Sequence, residues 1–250
     1  MPPSDPPQDP HAVPFVREEL GVRSLHFSEA AIQSRMDLLR PDALALEYTR
    51  TMMGFLMFDP EPKRIAMIGL GGGSLARFCH RHLPRTDLTV VEINPHVVAL
   101  RDRFAVPPDG ARFRVVLDDG ARFVASTTDR YDVLLVDAFD AERMPEMLGT
   151  RRFYDDCADV LKPGGLAVVN LHAAHPHLPL YLDRLRAAMG GPAGSMLRVN
   201  DRDGSNSVVL ARRGRPLMRT RRAIPVAALL QDAFSRIAHA LETRQNLATD

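Results

Sequence analysis

The sequence predicts an open, doubly wound α/β sheet, mostly parallel and finished at one edge by an antiparallel hairpin. Three observations lead there: short, almost uninterrupted apolar runs recur between residues 65 and 171, helix-compatible stretches separate them, and a glycine-rich turn follows the first run directly. Strands covered on both faces of a parallel sheet have no solvent side to alternate toward, so they read as continuous Val/Ile/Leu segments. Strand and helix patterns taken in turn specify βαβ units.

Residues 1–14, MPPSDPPQDPHAVP, carry too many prolines to pair as a strand or continue a helix, and a disordered tail is expected. Residues 15–62 form an N-terminal segment. Within it the mixed runs Val22–Phe27 and Ala31–Leu38, parted by Ser28-Glu29-Ala30, suggest a short β-hairpin lid. Ala43–Phe58 has apolar residues at helical spacing and stops before Pro60 and Pro62, which predicts a helix leading into the main domain.

The main domain, 63–212, runs through IAMIG (65–69), a helix from Ser74, LTVVEI (88–93), a helix after Pro95, and RFRVVL (112–117). A short helix after Gly120 follows, then DVLLVD (132–137), a helix over 150–161, GLAVVNL (165–171) and a helix over 178–189. MLRVN (196–200) and NSVVLAR (206–212), bridged by Asp201-Arg202-Asp203-Gly204-Ser205, read as the closing hairpin. Residues 213–250 supply a basic linker and a C-terminal helix from Pro225 to about Leu241 whose apolar stripe packs on the body or on a second subunit.

Composition narrows the function. With 32 basic and 31 acidic residues the net charge is +1, which leaves no field to gather nucleic acid or an anionic membrane. The six arginines between Arg212 and Arg222 lack interleaved aromatics, so a solvated linker is the simpler account of them. No apolar window is long enough for a membrane helix. Only Cys79 and Cys157 occur, without metal-ligand spacing, and the N-terminus has no basic region followed by an apolar run, so a cytoplasmic protein is expected. His172, His175 and His177 lack the i,i+4 spacing of a helical metal pair, so they are expected to rim a pocket and no metal is expected.

Chemistry concentrates at the strand ends. Gly69-Leu70-Gly71-Gly72-Gly73-Ser74 lies between a buried strand and a helix, the context in which a glycine turn lets a nucleotide approach the backbone. Glu92 closes the second strand, where a carboxylate accepts ribose hydroxyls. The third strand ends in Asp118-Asp119-Gly120 and the fourth in Asp137, so Glu92, Asp119 and Asp137 are expected around one crevice. Such a ring of carboxylates repels a dinucleotide's pyrophosphate and suits an adenosine derivative bearing a sulfonium.

Taken together, Tyr131-Asp132-Val133-Leu134-Leu135-Val136-Asp137-Ala138-Phe139-Asp140, VVEINP at 90–95, Asp119-Gly120, and Phe153-Tyr154 leading to LKPGG at 161–165 resemble the spermidine synthase (polyamine aminopropyltransferase) family over about Val22 to Arg212. The resemblance implies a Rossmann-like, methyltransferase-type sheet and a donor, decarboxylated S-adenosylmethionine or S-adenosylmethionine, as co-substrate. It implies that Gly69, Gly71, Gly72 and Gly73 form the donor loop, that Glu92 binds the ribose, and that Asp119, flanked by Asp118 and Gly120, binds the adenine amine. Gln33 contacts the donor and Tyr48 the acceptor on the same basis, Asp137 acts as base on a small-molecule amine such as putrescine, and Asp140 holds that amine's far end. A homodimer is implied as well. Two positions depart from the family pattern: Gly72 stands where the family has an aspartate, and Asp137-Ala138-Phe139-Asp140-Ala141 replaces an Asp-Ser-Ser-Asp-Pro type run. A methyltransferase or an aminocarboxypropyl transferase using the intact donor is therefore the alternative, and a nucleotide-binding scaffold without turnover is a third.

Overall fold

The computed structural model describes residues 11–29, 31–138 and 146–247. A seven-stranded sheet in the order β6-β5-β4-β7-β8-β10-β9 forms the centre, built from β4 (Arg64–Ile68), β5 (Asp87–Glu92), β6 (Phe113–Leu117), β7 (Tyr131–Val136), β8 (Leu161–His172), β9 (Met196–Asn200) and β10 (Asn206–Arg212). β6, β5, β4, β7 and β8 are parallel, and β10 runs antiparallel to both β8 and β9. The chain moves outward from β4 through β5 to β6 and then returns to add β7 on β4's other side. That reversal opens a crevice at the carboxyl ends of β4 and β7, where ligands of such sheets bind.

Helices cover both faces. α2 (Ser74–His82), α3 (Pro95–Ala99), α1 (Glu47–Met52) and α7 (Gln231–Leu247) lie on one side, where Phe55, Phe78, Val97 and Ile237 pack on Met67, Val90, Leu135 and Leu210. α4 (Gly120–Ser126), α5 (Arg151–Asp159) and α6 (Leu178–Met189) cover the other, through Phe123, Phe153, Tyr154 and Leu185 against Ile68, Leu134 and Val169. This burial on both faces is why the strands show no alternation in the sequence. Asn94, Asp119 and Thr150 cap α3, α4 and α5 with side-chain oxygens.

The N-terminal segment differs from expectation in two ways. The hairpin of β2 (Val22–Ser28) and β3 (Ala31–Asp37) forms, but a further strand, β1 (Phe15–Glu19), pairs with β2 through a two-residue turn at Leu20 and Gly21, both with positive φ. Its largely exposed residues give no apolar alternation to read. The helix expected over 43–58 is shorter: α1 tightens into a 3₁₀ stretch over Met53–Met57. Of the expected tail, residues 1–10 lie outside the described residues, whereas Ala12 is held by Asn94, whose Nδ2 donates to its carbonyl at 2.8 Å. The C-terminal helix begins as a 3₁₀ turn, Ala227–Leu230, before α7. Among the described residues no helix is long and apolar enough to cross a membrane.

Candidate active site

Three ladder extensions bring the acidic strand ends together. Gly69 N–H donates to the Val91 carbonyl at 2.8 Å, Asp137 N–H to Ile68 at 2.9 Å, and Asp118 N–H to Glu92 at 3.0 Å. The tips of β6, β5, β4 and β7 therefore stand in one row. Above them lies a cavity of about 640 Å³, lined among others by Gln33, Ser34, Tyr48, Gly69, Gly71, Gly72, Ser74, Glu92, Asp119, Gly120 and Asp137. Glu92, Asp119 and Asp137, expected to share one crevice, do share it. Of the other expected residues, Gly73 and Asp118 are not on the cavity wall. Asp118 accepts from Arg122 Nε at 2.6 Å, and Gly73 faces Val106 at the start of α2. Asp140 lies outside the described residues.

Each acid is prepared differently. Glu92 is buried, and its two oxygens accept from the Leu70 N–H at 2.8 Å and the Asn94 N–H at 2.9 Å, which locks the glycine turn to the end of β5. Remaining lone pairs on a carboxylate so held are acceptors aimed at the cavity. Asp119 spends Oδ1 on the first turn of α4, accepting from Ala121 N–H at 2.7 Å and Arg122 N–H at 3.2 Å. Its second oxygen makes no hydrogen bond among the described residues.

Asp137 and Tyr48 are both strongly perturbed. Burial raises the Asp137 carboxyl from 3.8 to about 6, against the opposing pull of hydrogen bonds from Asn170 and Tyr48. Asn170 Nδ2 donates to Asp137 Oδ1 at 3.0 Å. The Tyr48 phenol is held well above its ordinary range, first by burial and then by the neighbouring Asp137 charge. Asn170 is buried within β8, and its Oδ1 has no partner among the described residues. A buried acceptor left open beside a perturbed carboxylate is a cost that functional sites retain and packed cores avoid.

Gly69 makes the juxtaposition possible. Its φ is +93°, and a Cβ there would overlap the Asp137 main-chain carbonyl, so only glycine lets the ends of β4 and β7 come this close. Apolar walls complete the cavity: Val91, Ile93, Met147 and Leu148 line it, and Ile93 and Met147 remain exposed at its rim.

Four contributors were not expected from sequence. Asn170 is the one polar residue in the apolar run of β8, a signal available to inspection. Ser34 and Ser74 come together across 40 residues, and Arg77 is wholly buried behind the glycine turn, neither of which the pattern announces. His172, His175 and His177, expected to rim the pocket, are not on the cavity wall; His175 packs tilted against Tyr181 and His177 edge-on to it, at 5.2 and 6.3 Å between ring centroids, and no group of three or more His, Cys, Asp or Glu side chains that could hold a metal occurs among the described residues.

Residues 45–184 match the family described as the spermine/spermidine synthase domain. The polyamine aminopropyltransferase of Chromobacterium violaceum is 42% identical over 171 residues, which are 68% of this chain and 66% of that protein. The chain thus spans about two thirds of the length of that relative. In fold it is similar to a probable spermidine synthase from Corynebacterium glutamicum, with a TM-score of 0.70, 21% identity, and coverage of 86% of this chain and 81% of that one. A spermidine synthase in complex with the transition-state analogue AdoDATO superposes with a TM-score of 0.61 at 16% identity, covering 93% of this chain and 88% of that one.

Proposed function

Because this chain belongs to the spermine/spermidine synthase family, we propose that it moves an aminopropyl group from decarboxylated S-adenosylmethionine to a putrescine-like amine, with Asp137 as base. The observation that carries this reading is the Asp137 carboxyl, raised to about 6 at the edge of the glycine turn and held between Asn170 and Tyr48. The relatives named as polyamine aminopropyltransferase and spermidine synthase support the reaction class.

The chemistry needs such a group. A protonated amine has no lone pair, so a base must take its proton as nitrogen approaches carbon. At neutral pH a carboxyl near 6 is about ten-to-one ionised, yet it is a better proton acceptor than an ordinary aspartate. In the displacement, the amine nitrogen forms a bond to the aminopropyl carbon attached to sulfur, that carbon–sulfur bond breaks, and its electron pair goes to sulfur. Methylthioadenosine leaves, and the proton passes to Asp137. The sulfonium is already a good leaving group, so alignment and exclusion of water are the remaining demands.

The donor's adenosine would span β6 and β5, with its ribose on Glu92 and its adenine amine on the open oxygen of Asp119. The sulfur would then sit above Gly69, with the acceptor amine over β7 between Asp137 and Tyr48. Asp140 remains the candidate for the acceptor's far ammonium. β2 and β3, with α1, close the cavity from above and limit water. Acceptor size, a homodimeric assembly and the division at residues 62 and 212 belong to the same proposal.

The test is turnover with putrescine and the decarboxylated donor, read as methylthioadenosine release and as the mass of the aminopropylated product. Asp137→Asn is expected to lower kcat by about 10² to 10⁴ while leaving donor affinity within about threefold. A normal rate in this variant rules out the assigned base.

A further inference from the structure

Resting on the reading that this cavity holds the adenosine of a sulfonium donor, we propose that residues His11 to Pro14 form a strap over the ribose end of the cavity and that His11 is a donor-binding residue. A stretch that reads in the sequence as the end of a proline-rich tail then becomes a wall of the nucleoside site.

His11 and Ala12 both line the cavity. The Ala12 carbonyl accepts from Asn94 Nδ2 at 2.8 Å, a contact across 82 residues of sequence. Asn94 lies two residues past Glu92, and its own N–H donates to a Glu92 oxygen at 2.9 Å. The strap is therefore tied down beside the carboxylate proposed for the ribose. Asn94 Oδ1 meanwhile accepts from the His96 N–H at 2.9 Å and caps α3. One amide thus joins the end of β5, the start of α3 and the strap.

The other end of the strap is anchored as well. Phe15 opens β1, pairs with His26 and stacks on its ring, 5.2 Å between centroids and 12° between planes. Phe27, next along β2, lines the same cavity from the N-terminal sheet. Only Val13 and Pro14 separate Ala12 from Phe15, and three residue steps reach at most about 11 Å. Pro14 is buried, and its ring fixes φ. A segment this short and stiff, held at both ends, bridges the N-terminal sheet and the end of β5 with little slack.

Its chemistry complements Glu92. A carboxylate takes the hydrogens of ribose hydroxyls but has none to give to their oxygens, whereas an imidazole has a nitrogen of each kind. A strap that keeps water from this side also lowers the local dielectric around the hydrogen bonds to Glu92 and strengthens them. It meets the nucleoside and leaves the donor's tail alone, so it serves the decarboxylated donor of the proposed reaction.

Calorimetry with methylthioadenosine, the nucleoside product of that reaction, tests this on the full chain. Asn94→Ser keeps an oxygen to cap α3 and a backbone N–H for Glu92 but has no donor for the Ala12 carbonyl. His11→Ala removes the imidazole and leaves the strap's backbone contact in place. Each is expected to weaken methylthioadenosine by about five- to tenfold, the worth of one hydrogen bond in a closed site, and to leave KM for the amine within about twofold of native. In the native protein, hydrogen exchange at the His11, Ala12 and Val13 amides should slow by about tenfold or more when methylthioadenosine saturates the site, a readout that needs no variant to fold. Native affinity in either variant, or exchange at these amides that the ligand does not change, overturns the inference and leaves the proposed function standing. Failure of the native protein to bind methylthioadenosine overturns the proposed function and the inference with it.

Discussion

Replacing Asp137 by asparagine should stabilise the protein while it disables the reaction, and the gain should depend on pH in a defined direction. Folding raises this carboxyl from 3.8 to about 6, so between those values the native state holds a proton that the unfolded chain has released. Stability therefore falls as pH rises through that window, and the full cost is present above it. At about 1.4 kcal/mol per pH unit, the interval sums to about 3 kcal/mol, an upper bound because part of the carboxylate faces the cavity and is solvated there. Asparagine keeps an amide oxygen to accept from Asn170 Nδ2 but carries no charge to desolvate. The expected result at pH 7.5 is a melting temperature higher by about 2 to 10 °C, at roughly 2 to 4 °C per kcal/mol for a chain of this size. Near pH 4 the two proteins should melt together. Thermal unfolding of both across pH 4 to 8 measures this, and other carboxylates cancel in the difference. An asparagine variant that is less stable at pH 7.5, or an advantage that grows toward acid, would refute the assignment of burial as the cause.

Two further outcomes follow from the same network. Tyr48→Phe removes a hydroxyl that favours the ionised form of Asp137, so the acid limb of the pH dependence of kcat/KM should move upward; a limb that stays in place would separate Tyr48 from the base. Glu92→Gln leaves one amide nitrogen facing either the Leu70 or the Asn94 N–H, and loss of a charged acceptor at about 1.5 to 3 kcal/mol should weaken methylthioadenosine by roughly 10- to 100-fold in calorimetry; unchanged affinity would dissociate Glu92 from the donor.

The parts legible in the sequence are those whose signal is local. β4, β5, β7 and β8 are buried on both faces, so each writes its own apolar run, and an acid at the end of a run marks the crevice before any contact is known. Gly69 is legible for the same reason, since a turn between buried strand and helix needs it. β1 is five half-exposed or exposed residues, and its pairing with β2 leaves no periodic trace. Asn170 was readable as a polar break in an apolar strand, but its partner lies 33 residues away. Ser34 gave no signal whatever: its importance arises only where β3 crosses the glycine turn, 38 residues further along, and a side chain at position 72 becomes impossible.

That crossing changes how the glycine turn is understood. Gly69 and Gly72 are usually explained together, by the approach of a ligand to bare backbone. Here their missing side chains serve two protein neighbours: the Asp137 main chain at one and the Ser34 side chain at the other. The turn thereby separates a half-buried acid, Asp137, from a buried cation, Arg77, each disfavoured in its charged form by desolvation, Asp137 hydrogen-bonded by neutral side chains and Arg77 by backbone carbonyls with Asp42 as the nearby opposite charge. Pairing these two charges directly would relieve both, and the turn keeps them apart.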